Sequence, residues 1–280
     1  MRSRVPTLLL FLASALLSHA AGPPVAAPDY AQTGVLDQAA GRAALDQFRA
    51  AAPDRCYFEF ELRILPRRGE ERSVPGRIWW GRDEQGPVMR IVLQPGTPEE
   101  RRWLVQDGAA PGIWRSLGSA PARPAGLLDP LFPGVEISAF DLQMPFLYWP
   151  DETLLSVNRV RGRPANTFAF RPPAAFAAAH PAVAGIRAAF DTQFNFPLQI
   201  ETLGAAAVLK TLSVVDGKRV EDQEIPKEID VRNELTRDKT RFEVTAVALH
   251  LDLPPALFLP ADLDRAVAPP AEKQLTRFGP

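Results

Sequence analysis

The sequence predicts a mainly β protein: one curved antiparallel sheet, a half-open barrel of ten or eleven strands, covered by a few helices. Three observations predict it. Short runs of apolar and β-branched residues alternate with polar ones at a period of two, the mark of strands with one dry and one wet face. Turn chemistry cuts these runs at short, regular intervals, as in an up-and-down meander. Proline is abundant, 29 in 280 residues, which disfavours long helices. A sheet of ten or more strands cannot stay flat. It curls, and its dry concave face meets a second sheet or encloses a cavity.

Residues 1–21 read as a secretory signal. Arg2 and Arg4 make a positive start, residues 5–17 are apolar, and Ser18-His19-Ala20 before Ala21 suits a small-residue cleavage site. The apolar run is too short to span a membrane stably. No cysteine lies near the cleavage point, so this is not a lipoprotein signal. Residues 22–32 form a Pro/Ala linker, 33–265 a single domain and 266–280 a flexible tail. The expected product is soluble and exported, most simply periplasmic. Composition agrees with a globular chain, at 46% hydrophobic and 23% charged. Without Arg2 and Arg4, 30 basic residues face 33 acidic ones, which is no footprint for nucleic acid. Cys56 is the single cysteine, so there is no internal disulfide, and it reads as a small buried hydrophobe.

Along the domain, 33–51 is the best helix, with Leu36, Ala40, Ala44 and Phe48 and the flanking Ala43 and Leu45 as its apolar stripe. The clean strand at 57–65 points Phe58, Phe60, Leu62 and Ile64 to the dry side, and Tyr57, Glu59, Glu61 and Arg63 to the wet side. Strands follow at 76–80, with Ile78 and Trp80 dry, and at 88–94, with Met89, Ile91 and Leu93 on one side. Two more lie at 101–106, carrying Trp103, and at 112–116. Residues 120–134 are a Pro/Gly-rich loop. The densest aromatic segment, 140–149, reads as one or two short helical turns broken at Pro145. Its Phe146 and Trp149 either plug an apolar cavity or form ordinary core beneath a loop. A hairpin around Gly162 joins 152–161 to 166–171, where Phe168 and Phe170 share a face. Residues 172–181 are Ala-rich, a short helix or a loop, before a strand at 185–191.

The meander continues to residue 263. Leu198, Ile200 and Thr202 oppose Gln199 and Glu201. Ile225, Ile229 and Val231 alternate with acidic and basic residues, as do Phe242 and Val244. The breaks fall at Gly204, at Asp216-Gly217 and at 236–239. Over this stretch a strand ends in Asp191, followed by Pro197-Leu198 and Ile200-Glu201. Next come a strand with Lys210-Thr211, a strand led by Pro226, a turn with Lys239-Thr240, and a closing Leu257-Phe258-Leu259-Pro260 with Leu263. This order resembles the outer-membrane lipoprotein-sorting family, the LolA-like periplasmic carriers, mainly over 185–263. Asp141-Leu142 and Trp149 are similar to an Asp-Leu pair and a nearby Trp in that family. The resemblance implies a half-barrel whose open side is covered by helical insertions. It also implies carriage of lipoproteins between an inner-membrane release complex and an outer-membrane receptor.

The residues themselves offer little chemistry. His180 and His250 stand apart, and no Cys/His cluster suggests a metal. There is no nucleophile elbow, no Walker loop and no dinucleotide-binding glycine motif. The expectation is therefore no enzyme, no cofactor and no metal. What remains is apolar surface on one side of one sheet. Phe58, Phe60, Leu62, Ile78, Trp80, Ile91, Leu93 and Trp103 from the first half are candidates to line an acyl-chain cavity. Phe146, Trp149, Phe168, Phe170, Leu198, Ile200, Phe242 and Val244 from the second half join them. Each methylene buried there gains about 0.8 kcal/mol, enough to hold a lipid-anchored cargo without polar chemistry. A lipid- or protein-binding sensor of the same fold is the alternative. An exported carbohydrate-active enzyme is a further one, since Trp79 or Trp80 can stack a sugar. The two alternate faces, so only one can serve any given surface.

Overall fold

The computed structural model describes residues 33–50, 55–107, 111–193, 196–221 and 223–279. The signal and linker lie outside them. Fourteen strands build one antiparallel sheet. The first half contributes β1 (Cys56–Leu65), β2 (Arg72–Asp83), β3 (Gly86–Leu93), β4 (Arg101–Gln106), β5 (Gly112–Leu117) and β6 (Arg123–Pro124). The second half contributes β7 (Asp151–Val160), β8 (Arg163–Arg171), β9 (Gly185–Asp191), β10 (Pro197–Leu203), β11 (Val208–Val220), β12 (Gln223–Asn233) and β13 (Lys239–Leu249). Each half is a meander of sequential neighbours. They join where β1 pairs with β13, so the order runs β6-β5-β4-β3-β2-β1-β13-β12-β11-β10-β9-β8-β7.

The count exceeds the ten or eleven expected. Two of the additional strands are two-residue pieces, β6 and β14 (Thr276–Arg277), too short to leave a period. Strand β14 pairs with β13 through Ala246 and Val247, and Arg277 forms ion pairs with Glu59 and Glu272. The tail expected to fray thus lies on the sheet. Asp216-Gly217, expected to turn, instead sits inside β11 as a bulge opposite Pro226 and Glu228. Further bulges put an extra residue into β13 at Thr245 opposite Glu59/Phe60, into β7 at Leu155, and into β11 at Leu209 opposite Thr202/Leu203. An extra residue on one strand bends it and increases its twist, which is how so wide a sheet curls.

Helix α1 (Gln38–Ala50) is shorter than expected, and of its apolar stripe Leu45 and Phe48 pack on the core. Gly41 and Leu45 are buried, while Leu36 and Ala40 face solvent. The cause is close approach to the edge strand: a Cβ on Gly41 would stand 2.8 Å from the Leu154 side chain. The Gln38 amide donates to the Leu154 carbonyl at 2.9 Å and accepts from its N–H at 3.0 Å, and the Thr33 N–H donates to the Val157 carbonyl at 2.8 Å. These bonds occupy groups that an open edge would leave free for another chain. Helix α2 (Ala139–Gln143) and a 3-10 turn (Pro145–Tyr148) break at Met144, which takes a left-handed φ of 50° just ahead of Pro145. Helix α3 (Ala174–Ala179) is the Ala-rich segment.

Both faces of the sheet carry core. The concave face holds the main cluster, from Phe60, Leu62 and Ile64 to Phe168, Phe170 and Phe242. On the convex face of β1–β4, Tyr57, Trp79, Val88, Val92 and Leu104 pack against Leu251, Leu257, Phe258 and Leu263. Tyr57 is therefore fully buried and not on a wet face. The C-terminal segment works as a strap. Arg90, 1% exposed, fastens it by donating to the carbonyls of Leu257, Asp262, Leu263 and Arg265 at 2.5–3.2 Å. Arg102, paired with Glu100 at 2.5 Å, adds bonds to the carbonyls of Gly118 and Asp264. Burial and the neighbouring Arg102 charge bring the Arg90 guanidinium down to about 10.

Candidate functional site

An apolar pocket of about 160 Å³ opens between the middle of the concave face and α2. Its floor comes from three adjacent strands. Period two aims Phe242 and Val244 of β13, Ile229 and Val231 of β12, and Leu212 and Val214 of β11 to the same side. Phe58, Ile78 and Trp80 of β1 and β2 make one wall. The roof is Ile137, Leu142 and Met144, on and beside α2. Pro197, Ile225 and Pro226 stand among the lining residues as well.

One ionised group reaches this lining, and it is locked. Asp141 Oδ2 accepts from the Ser138 N–H and hydroxyl at 2.8 Å, which closes the first turn of α2. It also accepts from Lys210 Nζ of β11 at 2.8 Å, with the Asp141 side chain 6% exposed and Lys210 23% exposed. The roof is thus tied to the floor by one partly buried ion pair. The same cover is held elsewhere by Arg49 of α1, whose Nε donates to the Leu147 carbonyl at 2.7 Å, and by the Glu136 N–H, which donates to the Thr240 hydroxyl at 2.8 Å.

Five of the residues expected from the sequence meet at this pocket: Phe58, Ile78, Trp80, Phe242 and Val244. The others share the concave face but are packed solid. Phe60 stacks on Phe242 at 4.4 Å and covers Gly76, where a Cβ would come within 2.2 Å of its ring. Leu62, Ile91 and Leu93 are fully buried, and Trp103 donates from Nε1 to the Leu131 carbonyl at 2.9 Å beneath the 125–138 loop. Phe146 and Trp149 fill the far end with Phe140, Phe170 and Phe176. Phe168 packs on Phe170 and Phe190, and Leu198 and Ile200 lie in the same core. Sequence reasoning missed Leu212 and Val214 as lining, left Met89, Ile225, Ile229 and Val231 out of the candidates though their strands were read, and missed Ile137, Leu142 and Met144. Strand parity in β11 carried a signal for the first two; nothing local marks Ile137 or Met144.

Among the described residues no group of three or more His, Cys, Asp or Glu side chains is arranged to hold a metal, and no helix is long and apolar enough to cross a membrane. Trp79 and Trp80 do lie on opposite faces: Trp80 lines the pocket, and Trp79 is buried under the strap 5.0 Å from Tyr57.

No sequence-family profile and no curated protein matches the chain. Solved structures do. An outer membrane lipoprotein-sorting protein domain from Vibrio parahaemolyticus superposes with a TM-score of 0.70 at 17% identity, over 82% of this chain and 100% of that one. A DUF1329 family protein from Desulfovibrio piger gives 0.69 at 12% identity, over 82% and 100%. A LolA superfamily protein from Nitrosomonas europaea gives 0.63 at 13% identity, over 81% and 98%. The fold is the LolA-like half-barrel, as the motif order along 185–263 and the sheet pattern implied.

Proposed function

We propose that the protein is a periplasmic carrier for acylated cargo, lipoproteins bound for the outer membrane, and that it holds their acyl chains in the pocket beneath α2. The observation that carries this reading is the apolar pocket at the centre of the concave face, roofed by a short helix whose one ionised group is tied down. The signal at 1–21 supports export, and the likeness to a lipoprotein-sorting domain supports the cargo class. Catalysis forms no part of the reading, since Asp141 spends its carboxylate on Ser138 and Lys210.

At about 160 Å³ the closed pocket suits a guest about the size of a benzene ring, not a pair of acyl chains. Loading therefore requires α2 to lift, taking Leu142 and Met144 off the sheet. The acyl chain then replaces them against Phe242, Ile229 and Leu212, gaining about 0.8 kcal/mol per buried methylene. Lifting costs the Asp141–Lys210 pair and the roof's own apolar contacts. Release is the reverse, with the roof packing back as the chains leave for a receptor in the outer membrane. An inner-membrane release complex would supply the loaded cargo.

The test is uptake of a fluorescent fatty acid by the purified protein, wild type against Ile229→Trp, which fills the pocket with an apolar ring. Saturable uptake by wild type and its loss in the folded variant is the expected result. Equal uptake by both would place the acyl chains elsewhere.

A further inference from the structure

A second concavity lies on the opposite face of the sheet, away from the acyl pocket. It is a groove of about 670 Å³ across β10–β13, within the range of small-ligand sites. Its lining is polar, with Val208 the single apolar member. Register explains why these side chains meet. Gln199, Ser213 and Asp230 stand opposite one another on successive strands, as do Glu201, Thr211, Arg232 and Lys239.

The charges are layered. The carboxylates lie at the floor, with Glu201 and Glu234 13% and Asp230 19% exposed. Each is covered by donors. Glu234 accepts from both ends of the Arg232 fork at 2.9 Å, from Arg237 at 3.0 Å and from the Thr211 hydroxyl at 2.7 Å. Asp230 accepts from Lys239 at 3.1 Å and from Arg241 at 2.7 and 3.0 Å. Burial alone would raise both carboxyls. The hydrogen bonds and charges of these cations outweigh it and hold them below the ordinary carboxylate range. The cations rise to the rim, with Lys239 31%, Arg232 45% and Arg237 50% exposed. Arg161, at the tip of the β7–β8 hairpin with a φ of 53°, completes the rim and makes no ion pair among the described residues. Four cations against three carboxylates leave the lining net positive, with its positive charge outermost.

A second observation points to a ligand rather than to a self-satisfied network. The groove shares Gln199 and Glu201 with a small adjoining depression of about 10 Å³, room for one hydrogen-bonding atom. Thr167 in its wall is 4% exposed, and its hydroxyl has no hydrogen-bond partner. Buried polar groups without partners are uncommon and costly.

We propose that this groove binds an acidic sugar, a saccharide bearing a phosphate or carboxylate. Its oxyanion sits on the rim at Arg161, whose guanidinium is not spent on a carboxylate among the described residues, with Arg232 and Arg237 adding positive charge beside it while they stay bonded to Glu234. Its hydroxyls meet Gln199, Thr211 and Ser213 on the floor, and one of them reaches the Thr167 depression. The site is independent of the acyl pocket and stands whether or not that pocket carries lipid.

The test is calorimetric titration of the whole protein with glucose 6-phosphate, with glucose and inorganic phosphate as separate arms. Saturable binding of glucose 6-phosphate is expected, about tenfold tighter than either fragment and weakening as salt rises. Arg161→Ala, at an exposed turn, should weaken it by about tenfold. Ser213→Phe, which fills the floor from one strand, should abolish it in a protein with an unchanged circular dichroism spectrum. Absence of saturable binding would overturn the proposal. So would phosphate binding as tightly as the sugar phosphate and surviving Arg161→Ala, or attachment to anionic phospholipid vesicles with none to the soluble sugar.

Discussion

Phe242 and Phe60 stack ring on ring across β13 and β1, and only one of them borders the pocket. Phe60 fills the space above Gly76, whose missing Cβ is what admits the ring. An ionised carboxylate there has no water and no partner, so Phe60→Glu should unfold the protein, at a cost on the order of 4 kcal/mol or more. Denaturant titration checks this. Phe242→Glu puts its charge beside an open space and should abolish acyl binding while circular dichroism stays native. Cys56 makes a separate residue-scale prediction. It is fully buried, and burial pushes its thiol from 9.0 up to about 12. The folded state then holds the proton that the unfolded chain releases. The thiol's contribution to stability is thus complete below about pH 9 and lost as pH rises toward 12. Cys56→Ala should flatten that part of the stability–pH curve, and native protein should resist thiol alkylation at neutral pH.

At the scale of elements, two attachments carry testable weight. The strap hangs on Arg90, which meets four carbonyls in a dry site. Arg90→Ala leaves those carbonyls unpaired and should cost about 3 kcal/mol, with new proteolytic cuts in 251–267. The roof hangs on Asp141–Lys210. Asp141→Asn keeps the shape and the helix cap but removes the charge. It should cost about 1 kcal/mol in thermal unfolding and speed fatty-acid entry severalfold in stopped-flow. These attachments also mark where local pattern ends. Strands such as β1, β8 and β13 were legible because alternation is written within each strand. The strap was not, since 250–267 shows only prolines and scattered leucines, and its meaning lies in Tyr57 and Trp79 far away. For the same reason Tyr57 was placed on a wet face. Asp216-Gly217 misled because a bulge and a turn use the same residues. The stripe of α1 included Leu45 and Phe48, which pack on the core, but not Gly41, because a missing Cβ and not a large side chain marks the contact with Leu154.

At the scale of the molecule, the curl of the sheet decides what its dry face does. Period two told correctly which side chains turn inward, but not which of them meet each other and which meet space. Trp103 is bonded beneath the 125–138 loop, Ile91 and Leu93 are fully buried in the same core, and Phe146 and Trp149 pack on one another. Phe58, Ile78, Trp80, Phe242 and Val244 border the gap at the centre. That distinction depends on the placement of α2, which is set by Lys210, sixty-nine residues away in sequence. The central claim is that this gap opens to take acyl chains. Its most direct test is mass spectrometry of the purified protein, native and then after organic extraction. The account predicts a co-purifying diacyl or triacyl species, absent from Phe242→Glu. A bare protein mass that also fails to take up a fluorescent fatty acid would contradict it.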